Sequence, residues 1–202
     1  PTAASSSAER RRLTIMFSDM DGSTALSTKL DVEDLREVMS AYHKLVALTV
    51  SRFGGFVSKF MGDGVLVYFG YPHAHENDAE QAVRAALALL DAVAGLRQQV
   101  RIGIATGLVV IEELLGSGAS QEQAVVGETP NLAARLHANA QPNSIVIDPQ
   151  THKQIGGLFE YEELGEVELK GFARPVRVWS VLAESAIESR FDAMHQSGTA
   201  SL

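Results

Sequence analysis

The chain has 202 residues, 46% hydrophobic and 21% charged, a balance that suits one soluble domain with a sizeable core. A formal net charge of −8 argues against a general nucleic-acid binder, which would present a basic face, but leaves room for one small phosphate ligand. With no cysteine there is neither a disulfide nor a thiolate metal site, and no apolar run approaches the roughly 20 residues that span a bilayer.

The opening PTAASSSAERRR has no apolar signal core and reads as a linker over 1–10, with regulatory domains expected outside this chain. A single globular domain is expected over 11–183 and a mobile tail over 184–202, with a cytoplasmic location and no membrane segment. In RRLTIMFSDM, Leu13 to Phe17 read as a buried strand ending in polar Ser18 and Asp19. A DGST turn follows. From Asp31, Val32, Leu35, Val38, Met39, Tyr42, Leu45 and Val46 recur at helical spacing, up to Gly54-Gly55. GFVSKFMGDGVLVYFG holds two apolar runs about a Gly-Asp-Gly turn, which predicts a hairpin.

HENDAEQAVRAALALLDAVAGL reads as a second amphipathic helix, with Asn77 and Glu80 forming a capping box. VRIGIATGLVVIEE is another strand, and LLGSGASQEQ a glycine/serine loop suited to a flexible dimer arm. GETPNLAARLHANA is a third helix, with Thr129 as N-cap and Pro130 at its first position. NSIVIDPQTH gives a short strand into a turn or helix, and FEYEELGEVELKGFARPVRVWSV two strands joined by a loop. The order predicts an α/β (α+β) fold, a mixed sheet covered by helices.

Several residues carry chemistry. Asp19 ends a strand and Asp63 tips a hairpin; if these strands pair, the two carboxylates share one sheet edge and suit one or two Mg²⁺ ions. The plain alternative is a turn cap and a hairpin Asp-Gly. In SDMDGST, the backbone N–H groups around Met20, Asp21, Gly22, Ser23 and Thr24 form a helix entrance of the kind that favours phosphate. Asn131 and Arg135, four apart, share one helix face and would hold a ribose and a phosphate, or simply make a polar face. Lys59 stands in an apolar strand whose alternation sets it with Val57 and Met61, either snorkelling or reading a ligand. Lys170 ends another strand near a turn. His73 and His75 lack a third metal ligand and read as a loop and helix start, and Glu160 to Glu168 as a solvated strand face.

Five stretches in order, TIMFSDMDGST, FGGFVSKFMGDGVLVYF, VRIGIATGLVV, VVGETPNLAARL and LGEVELKGF, resemble the class III nucleotidyl cyclase catalytic domain of adenylyl and guanylyl cyclases, bacterial type, over roughly residues 13 to 182. The resemblance implies a ferredoxin-like βαββαβ core, mainly antiparallel, with extra C-terminal strands. It implies that Asp19 and Asp63 hold two Mg²⁺ or Mn²⁺ ions, Lys59 reads the purine, Asn131 positions the ribose, Arg135 stabilises the transition state and Lys170 binds the triphosphate. It further implies a head-to-tail homodimer with shared sites, one chain supplying the aspartates and the other the lysines, Asn131 and Arg135. The expected reaction turns ATP into cyclic AMP and pyrophosphate.

One position departs from the pattern. Ala124 stands where the family carries an Asp or Thr that accepts from the adenine amino group, which blurs ATP against GTP unless a backbone carbonyl, Gln121 or Gln123 substitutes. Lys59 still points to ATP, since guanylyl cyclases commonly have glutamate there. The alternatives are a guanylyl or mixed-specificity cyclase and a catalytically weak module that binds nucleotide or only dimerises.

Overall fold

The computed structural model describes residues 9–113 and 123–186 of the chain. The expected linker, glycine/serine loop (with Gln121) and tail fall mostly outside them. Residues 9 and 10 already belong to a strand, as do 112, 113 and 123.

The elements run β1 (Glu9–Met20), α1 (Ser23–Lys29), α2 (Val32–Arg52), β2 (Phe56–Met61), β3 (Gly64–Phe69), α3 (Asp78–Ala94), β4 (Val100–Glu113), β5 (Gln123–Val126), α4 (Glu128–Asn139), β6 (Ser144–Ile147), α5 (Pro149–Ile155), β7 (Phe159–Val167) and β8 (Val176–Glu184). They form an eight-stranded sheet in the order β2-β3-β1-β4-β6-β8-β7, with β5 pairing β4. The first four positions, 2-3-1-4 and all antiparallel, are the expected ferredoxin-like core; β4 with β6 is a parallel pair, and β8 and β7 extend the sheet.

Period-two alternation along β1 sorts its side chains between two cores. Met16 and Met20 face α2 and α3, packing with Tyr42, Val46, Val50 and the alanines of α3. Leu13 and Ile15 face the other side, where Ala133 and Leu136 of α4 and Leu169 of the β7–β8 loop cover them. Phe17 lies over this second core, so Asp19, two residues on, is delivered to the α4 face.

The α4 helix rests directly on β4. A Cβ on Gly103 would lie 2.3 Å from the Ala133 carbonyl oxygen and 2.4 Å from the His137 amide nitrogen, so only glycine admits the helix backbone this closely.

Four local expectations are corrected. Asn77 makes no side-chain cap; Asp78 instead accepts the His75 N–H at 2.7 Å, and Glu80 pairs with Arg84. Gly127, not Thr129, caps α4, so Pro130 lies inside the first turn and Thr129 is buried against Gly107. A bulge between Val57 and Lys59 breaks the simple alternation of β2. The strand before Lys170 ends at Val167, leaving Lys170 in the following turn. The helix entrance expected around Met20 to Thr24 opens the short helix α1 at Ser23, and the short strand β5 was not anticipated.

Among the described residues, Glu160, Glu162, Glu163, Glu166 and Glu168 are exposed as expected. His75 sits in the loop before α3, paired with Asp78 at 3.4 Å.

Candidate active site

The site grows out of the β1–β3 register. Pairing runs from Thr14 with Phe69 to Asp19 with Gly64, so Asp19 ends opposite the residue after Asp63. Met61 and Gly64 close β2 onto β3 and leave Gly62 and Asp63 as a two-residue turn. Gly62 adopts φ 63°, the positive value that the first central position of such tight hairpins requires. The turn thus holds Asp63 against the end of β1. His43 of α2 anchors it, its Nε2 lying 2.9 Å from the Gly62 carbonyl oxygen and its ring 4.6 Å from Phe60.

Around Asp19 the environment is specific. His137 Nε2 lies 3.2 Å from Oδ2, while Oδ1 is buried and has no hydrogen-bond partner among the described residues. Arg101 stands opposite Asp19 in the β1–β4 ladder and pairs with Asp21 at 3.1 Å. Beneath, the buried Tyr42 hydroxyl shares a 2.7 Å hydrogen bond with Ser18. Burial pulls the Asp19 carboxyl upward, but His137, Asp63 and Arg101 more than offset this and hold its pKa below the ordinary value. Asp63 goes the other way, raised by burial and by neighbouring Asp19, with Ser23 partly compensating.

Two carboxylates forced together, one with a buried oxygen left unpartnered, form a hard-oxygen donor set that fits Mg²⁺ or Mn²⁺. No group of three or more His, Cys, Asp or Glu poised for a metal occurs among the described residues. Remaining ligands would therefore come from water and substrate oxygens.

The other candidates take distinct positions. Met20 is buried in the core, Gly22 caps α1, Ser23 opens that helix beside Asp63, and Thr24 is exposed, its carbonyl accepting from Ser27. Asn131 and Arg135 stand on the exposed face of α4, opposite buried Ala133 and Leu136. Lys59 is exposed on β2. Lys170 is exposed in a turn closed by Phe172 N–H to Leu169 O at 3.0 Å, and held down by buried Leu169. Ala124 pairs with Glu112 in the β4–β5 ladder.

Within one chain, then, the sheet brings Asp19 and Asp63 together with Ser23 of α1 beside them, while Asn131, Arg135, Lys59 and Lys170 face outward. Sequence reasoning missed His137, Arg101 and His43. A signal existed for His137, which lies four residues after Ala133 and so on the buried side of α4.

Residues 6–183 match the profile of the adenylate and guanylate cyclase catalytic domain. An uncharacterized Rhizobium meliloti (strain 1021) protein is 32% identical over 197 residues, covering 94% of this chain and 19% of its own length. The chain thus spans about a fifth of that relative, and about a third of the similar mycobacterial ones. Among solved structures, the adenylyl cyclase CyaB from P. aeruginosa superposes with a TM-score of 0.83 at 29% identity, covering 89% of this chain and 97% of its own. The guanylyl cyclase Cya2 gives 0.82 at 31% identity, covering 90% and 97%. The chain belongs to the adenylate and guanylate cyclase catalytic domain family.

Proposed function

We propose that this domain is an adenylyl cyclase that works as a homodimer, converting ATP to 3′,5′-cyclic AMP and pyrophosphate. One observation carries the reading: Asp19 and Asp63 are joined at one sheet edge while Asn131 and Arg135 face outward on α4. The first pair is half of a nucleotide site. The second is exposed where another chain can use it.

The ribose 3′-oxygen attacks the α-phosphorus, the bond to the β-phosphate bridging oxygen breaks, and the 3′-hydroxyl proton leaves to solvent. Divalent metal held by Asp19 and Asp63 would acidify the attacking hydroxyl and neutralise the leaving pyrophosphate. Asn131 of one chain fixes the ribose so that its 3′-oxygen lies in line. Arg135 donates to the α-phosphoryl oxygens as charge develops there, an effect worth several kcal/mol for a preorganised donor. Lys170 and the N–H groups of Gly22, Ser23 and Thr24 hold the phosphates. Lys59 reaches the adenine, and its positive charge supports ATP as substrate.

Ala124 and the likeness to the guanylyl cyclase Cya2 favour a second reading, mixed ATP and GTP use. Measuring cyclic AMP and cyclic GMP from the manganese nucleotides separates the two, and Ala124→Asp should sharpen the choice toward ATP.

The shared site is tested by mixing. Asp63→Asn and Arg135→Ala should each be nearly inactive alone, and their mixture should regain activity through one intact site per heterodimer. Failure to regain activity would overturn the shared site. A wild-type domain that cyclises neither nucleotide would leave only a binding or dimerising module.

A further inference from the structure

We infer that His137 is a positioning residue for Asp19: it ties down one carboxylate oxygen so that the other is presented to the metal. The inference rests on the reading of Asp19 as a metal ligand, and adds to it a residue on the helix that serves the opposite site.

The geometry is specific at both ends of the contact. An ionised carboxylate only accepts hydrogen bonds, so His137 Nε2 is the donor to Asp19 Oδ2, at 3.2 Å. Oδ1, on the same carboxyl, is buried and has no hydrogen-bond partner among the described residues. A carboxylate with one oxygen engaged and one left free has its torsion set before any ligand arrives.

The imidazole is itself held in place. Its Nδ1 lies 2.5 Å from the Ala134 carbonyl oxygen. Its ring packs on Phe17 with centroids 4.5 Å apart. Its backbone nitrogen is seated against Gly103, where a Cβ would lie only 2.4 Å away. Phe17 and Asp19 project from the same face of β1, so one ring touches both. The side chain is only 14% exposed, too buried for an ordinary surface histidine.

Helix α4 therefore has two jobs on two faces. Asn131 and Arg135 point outward, and His137 points inward to the carboxylate of its own chain.

The test uses substitutions that separate the donor from the bulk. His137→Phe keeps a ring against Phe17 but cannot donate. His137→Gln sets an amide nitrogen near the position of Nε2, whereas His137→Asn sets one near Nδ1. Manganese binding to each dimer, followed by the electron paramagnetic resonance of free Mn²⁺, should weaken roughly 10–100-fold in H137F and H137N and recover in H137Q. Equal affinity in wild type and H137F would overturn the inference. So would equal losses in H137F and H137Q, because bulk rather than donation would then explain them.

Mixed dimers add a readout that a structural role for α4 cannot imitate. In the Asp63→Asn plus Arg135→Ala mixture, the working site takes Asp19 from the Arg135→Ala chain and the α4 face from the other. Adding H137F to the Arg135→Ala chain should lower the regained activity at limiting Mn²⁺, and adding it to the Asp63→Asn chain should not. Equal losses from both placements would overturn the inference. If the parent mixture regains nothing, the shared-site reading fails, while manganese binding by the single variants still decides the role of His137. If wild type binds no Mn²⁺, both fall together.

Discussion

Gly103→Ala is the most exacting test of how the fold positions the site. A methyl group there would stand 2.3 Å from the Ala133 carbonyl oxygen and 2.4 Å from the His137 amide nitrogen, and 3.0 Å from the Leu136 Cβ. The first two are backbone partners in one helical turn of α4, so no rotamer change can move them aside. Ordinary contact begins near 3.4 Å, which means the helix must retreat by about 1 Å. Overpacking of this kind costs about 1–3 kcal/mol. Without a clash the sign would reverse, since replacing a strand glycine by alanine stabilises by about 0.5–1 kcal/mol.

The functional effect should exceed the stability effect, because α4 carries Asn131, Arg135 and His137 together. A displacement of about 1 Å at a reacting geometry lowers turnover on the order of 100-fold. Urea unfolding, read as a shift of midpoint at constant slope, measures the first quantity. Steady-state kinetics with manganese nucleotide measure the second. A Gly103→Ala protein at least as stable as wild type, with kcat/KM within about twofold of it, would refute the close-packing argument. Gly107→Ala is the internal control: its methyl would meet the Thr129 hydroxyl at 2.4 Å, a side-chain atom that can rotate away, so its effect should be smaller.

Three further outcomes follow from the site's surroundings. The raised pKa of Asp63 means the metal-free fold favours its protonated form, a contribution present at acid pH and lost as pH rises through the folded pKa. Asp63→Asn should therefore raise the Tm at pH 7 in chelator while abolishing manganese stabilisation, its advantage shrinking as Asp63 protonates on acidification; a lowered Tm at pH 7 would contradict this. Asp148 is buried and accepts from the N–H groups of Thr106, Gln150 and Thr151 and from the Thr151 hydroxyl, so Asp148→Ala should cost about 3 kcal/mol and Asp148→Asn clearly less, by urea unfolding. His43→Ala removes the tether to the Gly62 carbonyl and the ring contact with Phe60, and should weaken manganese binding about tenfold with a Tm change of a few degrees, by titration and thermal melts.

Much of this was legible because it follows from local pattern. A β-rich apolar run ending in Ser18 and Asp19 marked β1, apolar spacing gave α2 and α3, and Gly-Asp-Gly between two apolar runs gave the hairpin. Those elements suffice to bring Asp19 and Asp63 to one sheet edge. What escaped depends on contacts between elements. His43 and His137 are single polar residues on amphipathic helices, and only packing decides that one meets a turn carbonyl and the other a carboxylate. The helix STALSTK was legible only at its entrance, being too short and too polar to show an apolar stripe. The caps misread for a related reason. Asn77 stands next to Asp78, and Thr129 two residues beyond Gly127, so competing cap residues left the choice to tertiary contacts.

The parts of the site differ in how firmly the fold holds them. Six consecutive β1–β3 pairs fix the carboxylate pair, and a slip of one residue would turn Asp19 into the core occupied by Ser18 and Tyr42. Losing that geometry therefore means losing the β1 core, so a folded chain keeps the aspartates together. Helix α4 has no such ladder. It is held by its backbone seated over Gly103, by Thr129 over Gly107, by Leu136, and by the His137 contact. A perturbation too weak to unfold the sheet can still shift α4, and with it the outward Asn131 and Arg135. Activity should thus fail before stability when α4 is disturbed, and together with stability when the β1–β3 register is disturbed.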